Sequence, residues 1–330
     1  MSDHDGPDGA AGGDDAPAMS RPRATRIMDR GYRRYDGERG GVREAMRSVW
    51  RYTLQRILGI HRLFRFKVLP ILMIGIAYVP TLVYVGITVI TNQVATKGGN
   101  LIDSRTLASP LIIDYSVSYT GIVAAIVLFA AFVAPEVLCT DRRTGMLGLY
   151  LASPLNRWSY LASKAAAVFS VLMVVTLGPP LLLLLGYSTQ GFGPSGIGAW
   201  LRTLGRIVAT GLAIGGFHTM LSLATSSITS RRAAASGAFV ALVVGTGSVV
   251  PLLVNGGASV SLGAFDLWRL PQEVAYRIFG EAPTLRCIAD EFSARCEAMS
   301  TPWGYGAFAA WMLLSLALGV QRYRRIEVTK

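Results

Sequence analysis

Charge is scarce in this sequence, and its spacing is more informative than its amount. Asp, Glu, Lys and Arg make up 16% of the 330 residues while hydrophobic residues make up 52%, against roughly 25% charged in an ordinary soluble domain. Six stretches, 68–96, 115–135, 165–201, 207–230, 233–265 and 298–321, contain no charged residue at all. Each reaches the roughly 20 residues that a helix rising about 1.5 Å per residue needs to cross about 30 Å of hydrocarbon, and no other uncharged run does. The first carries thirteen Val, Leu and Ile between positions 68 and 90, which contribute on the order of −6 kcal/mol toward insertion. The sequence therefore predicts an all-α polytopic membrane protein with six transmembrane helices, and argues against a soluble enzyme.

Groups that do chemistry are equally sparse. There are three His and three Cys, with no HExxH and no facing carboxylates in the spans, so neither zinc nor aspartyl chemistry is indicated. His218 in the fourth span reads as a hydrogen-bonded packing residue; with Glu136 at a span boundary and the tyrosines it completes the titratable set inside the bilayer. An ion-coupled carrier needs an internal ionisable site, so that class is disfavoured. The four lysines, Lys67, Lys97, Lys164 and Lys330, all lack the GxxxxGK[ST] context of a phosphate-binding loop. Gly193-Pro194-Ser195-Gly196 matches a GxSG nucleophile signature, but about 34 Å of helix would separate Ser195 from His218, so it reads as a turn. No catalytic residue, cofactor or metal ligand is expected in this chain. Cys139 should be a free thiol; Cys287 and Cys296 share the loop 255–302, where their spacing permits but does not require a disulfide on an oxidising face.

The charges that are present are mostly basic, giving a net +12. A basic balance can mean nucleic acid or a membrane surface, and the distribution favours the membrane. Six spans put both termini on one side, which then holds twenty-four Lys and Arg against eight on the other. By the positive-inside rule both termini are cytoplasmic, in a cytoplasmic membrane. Residues 1–40 read as a disordered, Arg-rich cytoplasmic tail. Residues 41–66 read as an amphipathic interfacial helix: Arg43, Arg47 and Arg51 recur every fourth residue, and Met46, Trp50, Leu54, Ile57 and Leu58 make a separate apolar stripe. The transmembrane domain follows over 67–322, with a short cytoplasmic tail at 323–330. Gly178, Pro179 and Pro180 are expected to break the third span, Gly211 and Gly215 supply small-xxx-small spacing in the fourth, and 267–279 suggests an amphipathic helix on the outer leaflet.

The segment 138–164 carries the strongest pattern. Glu136 closes the second span; Arg142 and Arg143 follow; Gly145 opens an apolar run that Pro154 ends; Arg157, Tyr160 and Lys164 lead into the third span. This order resembles the first cytoplasmic loop of ABC-2 type transporter permeases, the membrane subunits of a class of ABC exporters, most strongly over about 130–185. The resemblance implies a homodimer or heterodimer of six-span subunits in contact with membrane lipid and bound to cytoplasmic ABC ATPase subunits that hold ATP and Mg²⁺. The loop would be the coupling helix, with Glu136, Arg142, Arg143, Gly145, Pro154, Arg157 and Lys164 at the ATPase-coupling interface, and the N-terminal helix would be the connecting helix. Importer permeases carry a Gly six residues after the Glu of their loop; here Arg142 holds that position, so export is preferred. A membrane scaffold or sensor that recruits a cytoplasmic partner through the same loop is the alternative, followed by an ion-coupled carrier.

Overall fold

The structure is a computed structural model that describes residues 40–60, 64–97, 114–146, 150, 155–281, 286–290 and 293–324. The N-terminal tail (Gly40 apart), Pro154 and 325–330 lie outside the described residues. A short helix α1 (Val42–Ile57) precedes six long ones: α2 (Phe64–Lys97), α3 (Tyr115–Arg143), α4 (Arg157–Thr189), α5 (Ile197–Ile228), α6 (Arg232–Asn255) and, after an insertion, α8 (Thr301–Arg324). The insertion comprises a 3-10 turn (Val260–Phe265), α7 (Leu270–Phe279) and an antiparallel ribbon of β1 (Arg286–Asp290) and β2 (Ser293–Glu297). Among the described residues, six helices are thus long and apolar enough to cross a membrane.

The hydrophobic pattern sets each helix's depth in the bundle. α3 is apolar all round, with Ile122, Ile126, Phe129, Ala130, Val133 and Val137 buried, and it packs on α2, α4, α5 and α6. α2, α6 and α8 are the least buried and form the periphery. Gly211 and Gly215 lie against Leu177 and Met173 of α4, as their spacing predicts, and Thr176 donates to the Gly211 carbonyl at 3.3 Å. Gly186 of α4 lies equally close to Val85 of α2.

Three expectations change. Gly178-Pro179-Pro180 does not break the third span, because α4 runs through it. Each proline removes one intrahelical bond without halting the helix when neighbours pack on both sides. Tyr78 of α2 lies over Gly178 and donates to the Val174 carbonyl at 3.1 Å. The N-terminal helix stops at Ile57 instead of reaching 66, and its buried face, Val49, Thr53 and Ile57, is fastened to α4. The segment around 267–279 does not lie on a surface. Leu267 N–H donates to Thr246 Oγ1 at 3.2 Å, nine residues below the end of α6, about 13 Å inward. Trp311 of α8 donates to the Ala264 carbonyl at a similar depth. The chain dips into the bundle and climbs back as α7, whose residues Leu270–Ala275 are buried. Irregular backbone at such depth must be satisfied by protein; here Asp266 Oδ1 accepts from the N–H groups of Trp268 and Arg269 at 3.1 and 2.9 Å. At the other end of α7, Gly280 (φ 86°) forms a left-handed cap and Arg206 donates to the Phe279 carbonyl.

Two outcomes test this packing. A Cβ at Gly186 would sit 2.6 Å from a Val85 methyl, whereas one at Gly237 meets nothing within 4 Å. Gly186→Ala should therefore lose about 1–3 kcal/mol relative to Gly237→Ala in thermal or denaturant unfolding in detergent. In the ribbon, Cys287 is the Cα partner of Cys296, and residues directly opposite lie about 4.5–5.5 Å apart, within disulfide range. The unreduced protein should protect both thiols from alkylation and Cys287→Ser should expose Cys296; full alkylation without reductant would refute the bond.

Candidate functional site

The charged segment around 136–164 lies at the end of the bundle that also carries α1 and the last turn of α8. Its centre is Asp141, which is completely buried. Because α3 continues to Arg143, Asp141 stays on the helix face already occupied by Ala130, Val137 and Leu138, and is carried inward. Its carboxylate meets Arg56 Nη1 of α1 at 2.7 Å and Lys164 Nζ of α4 at 2.8 Å. The Tyr160 hydroxyl donates to the same Oδ2 at 2.8 Å. Lys164 is fully buried as well, 5.2 Å from the ring centre of Tyr150 and 5.6 Å from that of Tyr160. Burial, reinforced by the nearby Asp141 charge, pushes the Tyr150 hydroxyl up to about 12, so this ring stays neutral under the ammonium.

A second acid extends the cluster. Glu136, one and a half turns before Asp141, pairs with the largely exposed Arg232 at the start of α6 and lies 4.0 Å from Arg56 Nε. Arg142 turns the other way: its Nη1 donates to the Ser227 carbonyl at 2.8 Å, and the Cys139 thiol donates to the Thr229 carbonyl at 3.3 Å. Both satisfy carbonyls that the end of α5 leaves without helical donors, and the guanidinium opposes that helix's negative pole. Arg157 does the same for α8 by donating to the Arg324 carbonyl at 2.9 Å. Asn156 caps α4, accepting from the Ser159 N–H at 2.7 Å.

The residues expected at one contact surface therefore separate. Lys164 is an internal ion-pair member. Glu136, Arg142 and Arg157 brace helices. Arg143 and Gly145 are exposed, and Gly145 has φ 70°, which suits the turn leaving α3. Met146 and Tyr150 are helical, while 147–149 and 151–154 lie outside the described residues. Between the ends of α3 and α5 and the start of α6 is a polar cleft of about 250 Å³, lined by Glu136, Arg143, Ser230 and Arg232 among others. His218 is buried with Nδ1 2.9 Å from the Ile214 carbonyl, which fits the packing role. Arg56, Asp141 and Arg232 escaped the sequence reading. An acid beside two arginines looks solvated, and only the i, i+4 relation to Val137 on an unbroken helix marks Asp141 as inward. No family model and no curated protein matches this sequence.

Removing Asp141 leaves the buried Lys164 ammonium without its counter-charge, whereas removing Lys164 leaves Asp141 with Arg56 and Tyr160. Breaking a buried pair typically costs about 3–5 kcal/mol. Asp141→Asn should fall in that range and Lys164→Met should cost less, read as thermal midpoints in detergent; equal losses would contradict this hierarchy.

Proposed function

We propose that this chain is the membrane subunit of an ATP-driven exporter of the ABC-2 type. It sits in the cytoplasmic membrane with both termini in the cytoplasm and works as a dimer with separate ABC ATPase subunits, which hold ATP and Mg²⁺. The observation that carries the reading is the tie between α1, α3 and α4 through Asp141. The loop 144–156 leaves the ends of two helices that the ion cluster joins to each other and to α1. A push on such a loop is delivered to the helices as a body, since buried pairs resist separation far better than exposed ones. This is the requirement for a coupling element that receives force from a soluble motor. The positive-inside distribution supports the orientation.

On this reading the six described residues of the coupling segment divide their work. Arg143 and Gly145 face the ATPase, while Glu136, Arg142, Arg157 and Lys164 transmit what arrives. α1 serves as the connecting helix, its exposed Arg43, Arg47 and Arg51 toward anionic headgroups.

The test is purification of the tagged chain from its native membrane. A P-loop ATPase should co-purify, and in the reconstituted pair Arg143→Ala should keep the thermal midpoint while weakening ATPase association about tenfold, equivalent to about 1.4 kcal/mol. A partner without a P-loop would point to a scaffold or sensor, and transport by the purified chain without ATP would overturn the proposal.

A further inference from the structure

On the face of the bundle formed by α4, α5 and α8 there are two adjoining cavities. The first, about 320 Å³, is lined by Trp158, Ala162, Leu223 and Gly319 among others. The second, about 340 Å³, is lined by Phe169, Leu212 and Gly216 among others. They share Ala165 and Met220, so they form one groove. Its walls are almost wholly apolar, and each half has the size of a small-ligand pocket.

The length of the groove restricts what fits. From Trp158 to Phe169 along α4, and from Leu223 to Leu212 along α5, is eleven residues, about 16 Å. That is half of the roughly 30 Å hydrocarbon core, the depth of one leaflet. A helix from a second copy would need a surface continuing across both leaflets, whereas an acyl chain ends where this groove ends.

The mouth supplies the other half of the recognition. Trp158 is 44% exposed at the start of α4, with the Arg324 guanidinium 5.2 Å from its ring centre. Val320 of the groove wall lies one turn before Arg324, and Gly319 lies one turn before Arg322, so both arginines continue the groove's side of α8. Arg157, Arg322 and Arg324 are all exposed. Among the described residues the acids at this end of the bundle are Glu44 on the exposed side of α1 and Glu136 and Asp141, the last two engaged by Arg232, Arg56 and Lys164. An apolar slot one leaflet deep therefore opens beneath three arginines and an interfacial Trp.

We propose that this groove is a binding site for one anionic phospholipid of the leaflet on the α1 side, its acyl chain lying between α4, α5 and α8 and its phosphate held by Arg322 and Arg324. Guanidinium groups suit phosphate because their planar forks donate two parallel hydrogen bonds. Arg157 is already committed to the Arg324 carbonyl and positions that corner. The site does not depend on the transport reading, since it would serve equally in a scaffold.

Phosphatidylglycerol and phosphatidylcholine with the same acyl chains are the probes. Each is titrated into the full chain in detergent, and bound lipid is counted by native mass spectrometry alongside the thermal midpoint. Phosphatidylglycerol should be retained at least tenfold more tightly and should raise the midpoint. Arg322→Gln with Arg324→Gln should remove that preference, each arginine being worth about fivefold, the equivalent of about 1 kcal/mol near an anionic surface. Gly319→Leu should also expel the lipid by filling the slot; a Cβ there meets nothing within 4 Å, so the variant should fold, which its lipid-free midpoint verifies. Arg43→Gln, Arg47→Gln and Arg51→Gln together should leave the bound lipid in place. Equal retention of the two lipids, retention in the Arg322/Arg324 variant, or equal loss in the α1 variant would each overturn the site. Retention in a folded Gly319→Leu protein would overturn the groove as the acyl-chain seat.

Discussion

A carboxylate withdrawn entirely from water, with three donors closing on it, organises one end of this molecule. Asp141 stands alone against Arg56, Lys164 and Tyr160. Desolvating an unpaired carboxylate or ammonium costs several kcal/mol, so Asp141 cannot leave without stranding Lys164, and its partners cannot all leave without stranding Asp141. That mutual dependence fixes three elements at once. α1 cannot lift from α3 without opening the Arg56 pair, and α3 cannot slide on α4 without parting Asp141 from Lys164 and Tyr160. Packing alone would be less selective, because in lipid the apolar faces of helices find equivalent partners in acyl chains. The Trp50 indole, donating to Ser170 at 3.2 Å, adds a polar link of the same kind farther along α1.

Much of the architecture could be read from the spacing of charges because a span has to be apolar over a fixed length. That constraint is local, and the six helices follow the six uncharged gaps. Their ends do not. α3 extends past Glu136 to Arg143, and α5 begins at Ile197, ahead of Arg202 and Arg206. A helix does not stop where it becomes charged if the charge finds a partner. Arg206 does so at the end of α7, and Asp141 does so across three helices. Such partners come from residues 19 to 85 positions away, which hydropathy along the chain cannot register. The dip of 256–281 was hidden for a related reason. Its polar groups resemble those of an exposed loop until Asp266 is seen to occupy its own backbone donors and Arg277 to be closed by Glu273, Thr301 and the Met299 carbonyl.

The candidate site was legible as a region but not as a division of labour. Glu136, Arg142, Arg157 and Lys164 share a segment with Arg143 and Gly145, and a linear reading gives all of them the same surface. Helical periodicity separates them. Lys164 lies on the stripe of Tyr160, Val168 and Val171 and goes inward, while Arg142 is turned toward the carbonyls of α5. Arg143, one residue on, is rotated about 100° away and stays in solvent. Basic residues near a helix end thus serve two ends of their own: closing a neighbouring helix, or facing outward.

The links at this end differ in how hard they are to break. The Arg56–Asp141–Lys164 cluster has side chains 11%, 0% and 0% exposed, whereas Arg232, the partner of Glu136, is 64% exposed. Arg232 can exchange this contact for water at little cost, since exposed charges contribute about 0–1 kcal/mol, while Glu136, 18% exposed, keeps Arg56 Nε at 4.0 Å. The boundary between α1, α3 and α4 is therefore stiff, and the boundary between α3 and the start of α6 is soft. At the opposite end Leu267 is hydrogen-bonded to α6, while Arg277 couples α7 to the start of α8. A force applied to the loop between α3 and α4 meets rigid helices on one side and a readily exchanged ion pair on the other. Relative movement is cheapest where α6 meets α3 beside the polar cleft, because separation there releases Arg232 into water and leaves Glu136 beside Arg56.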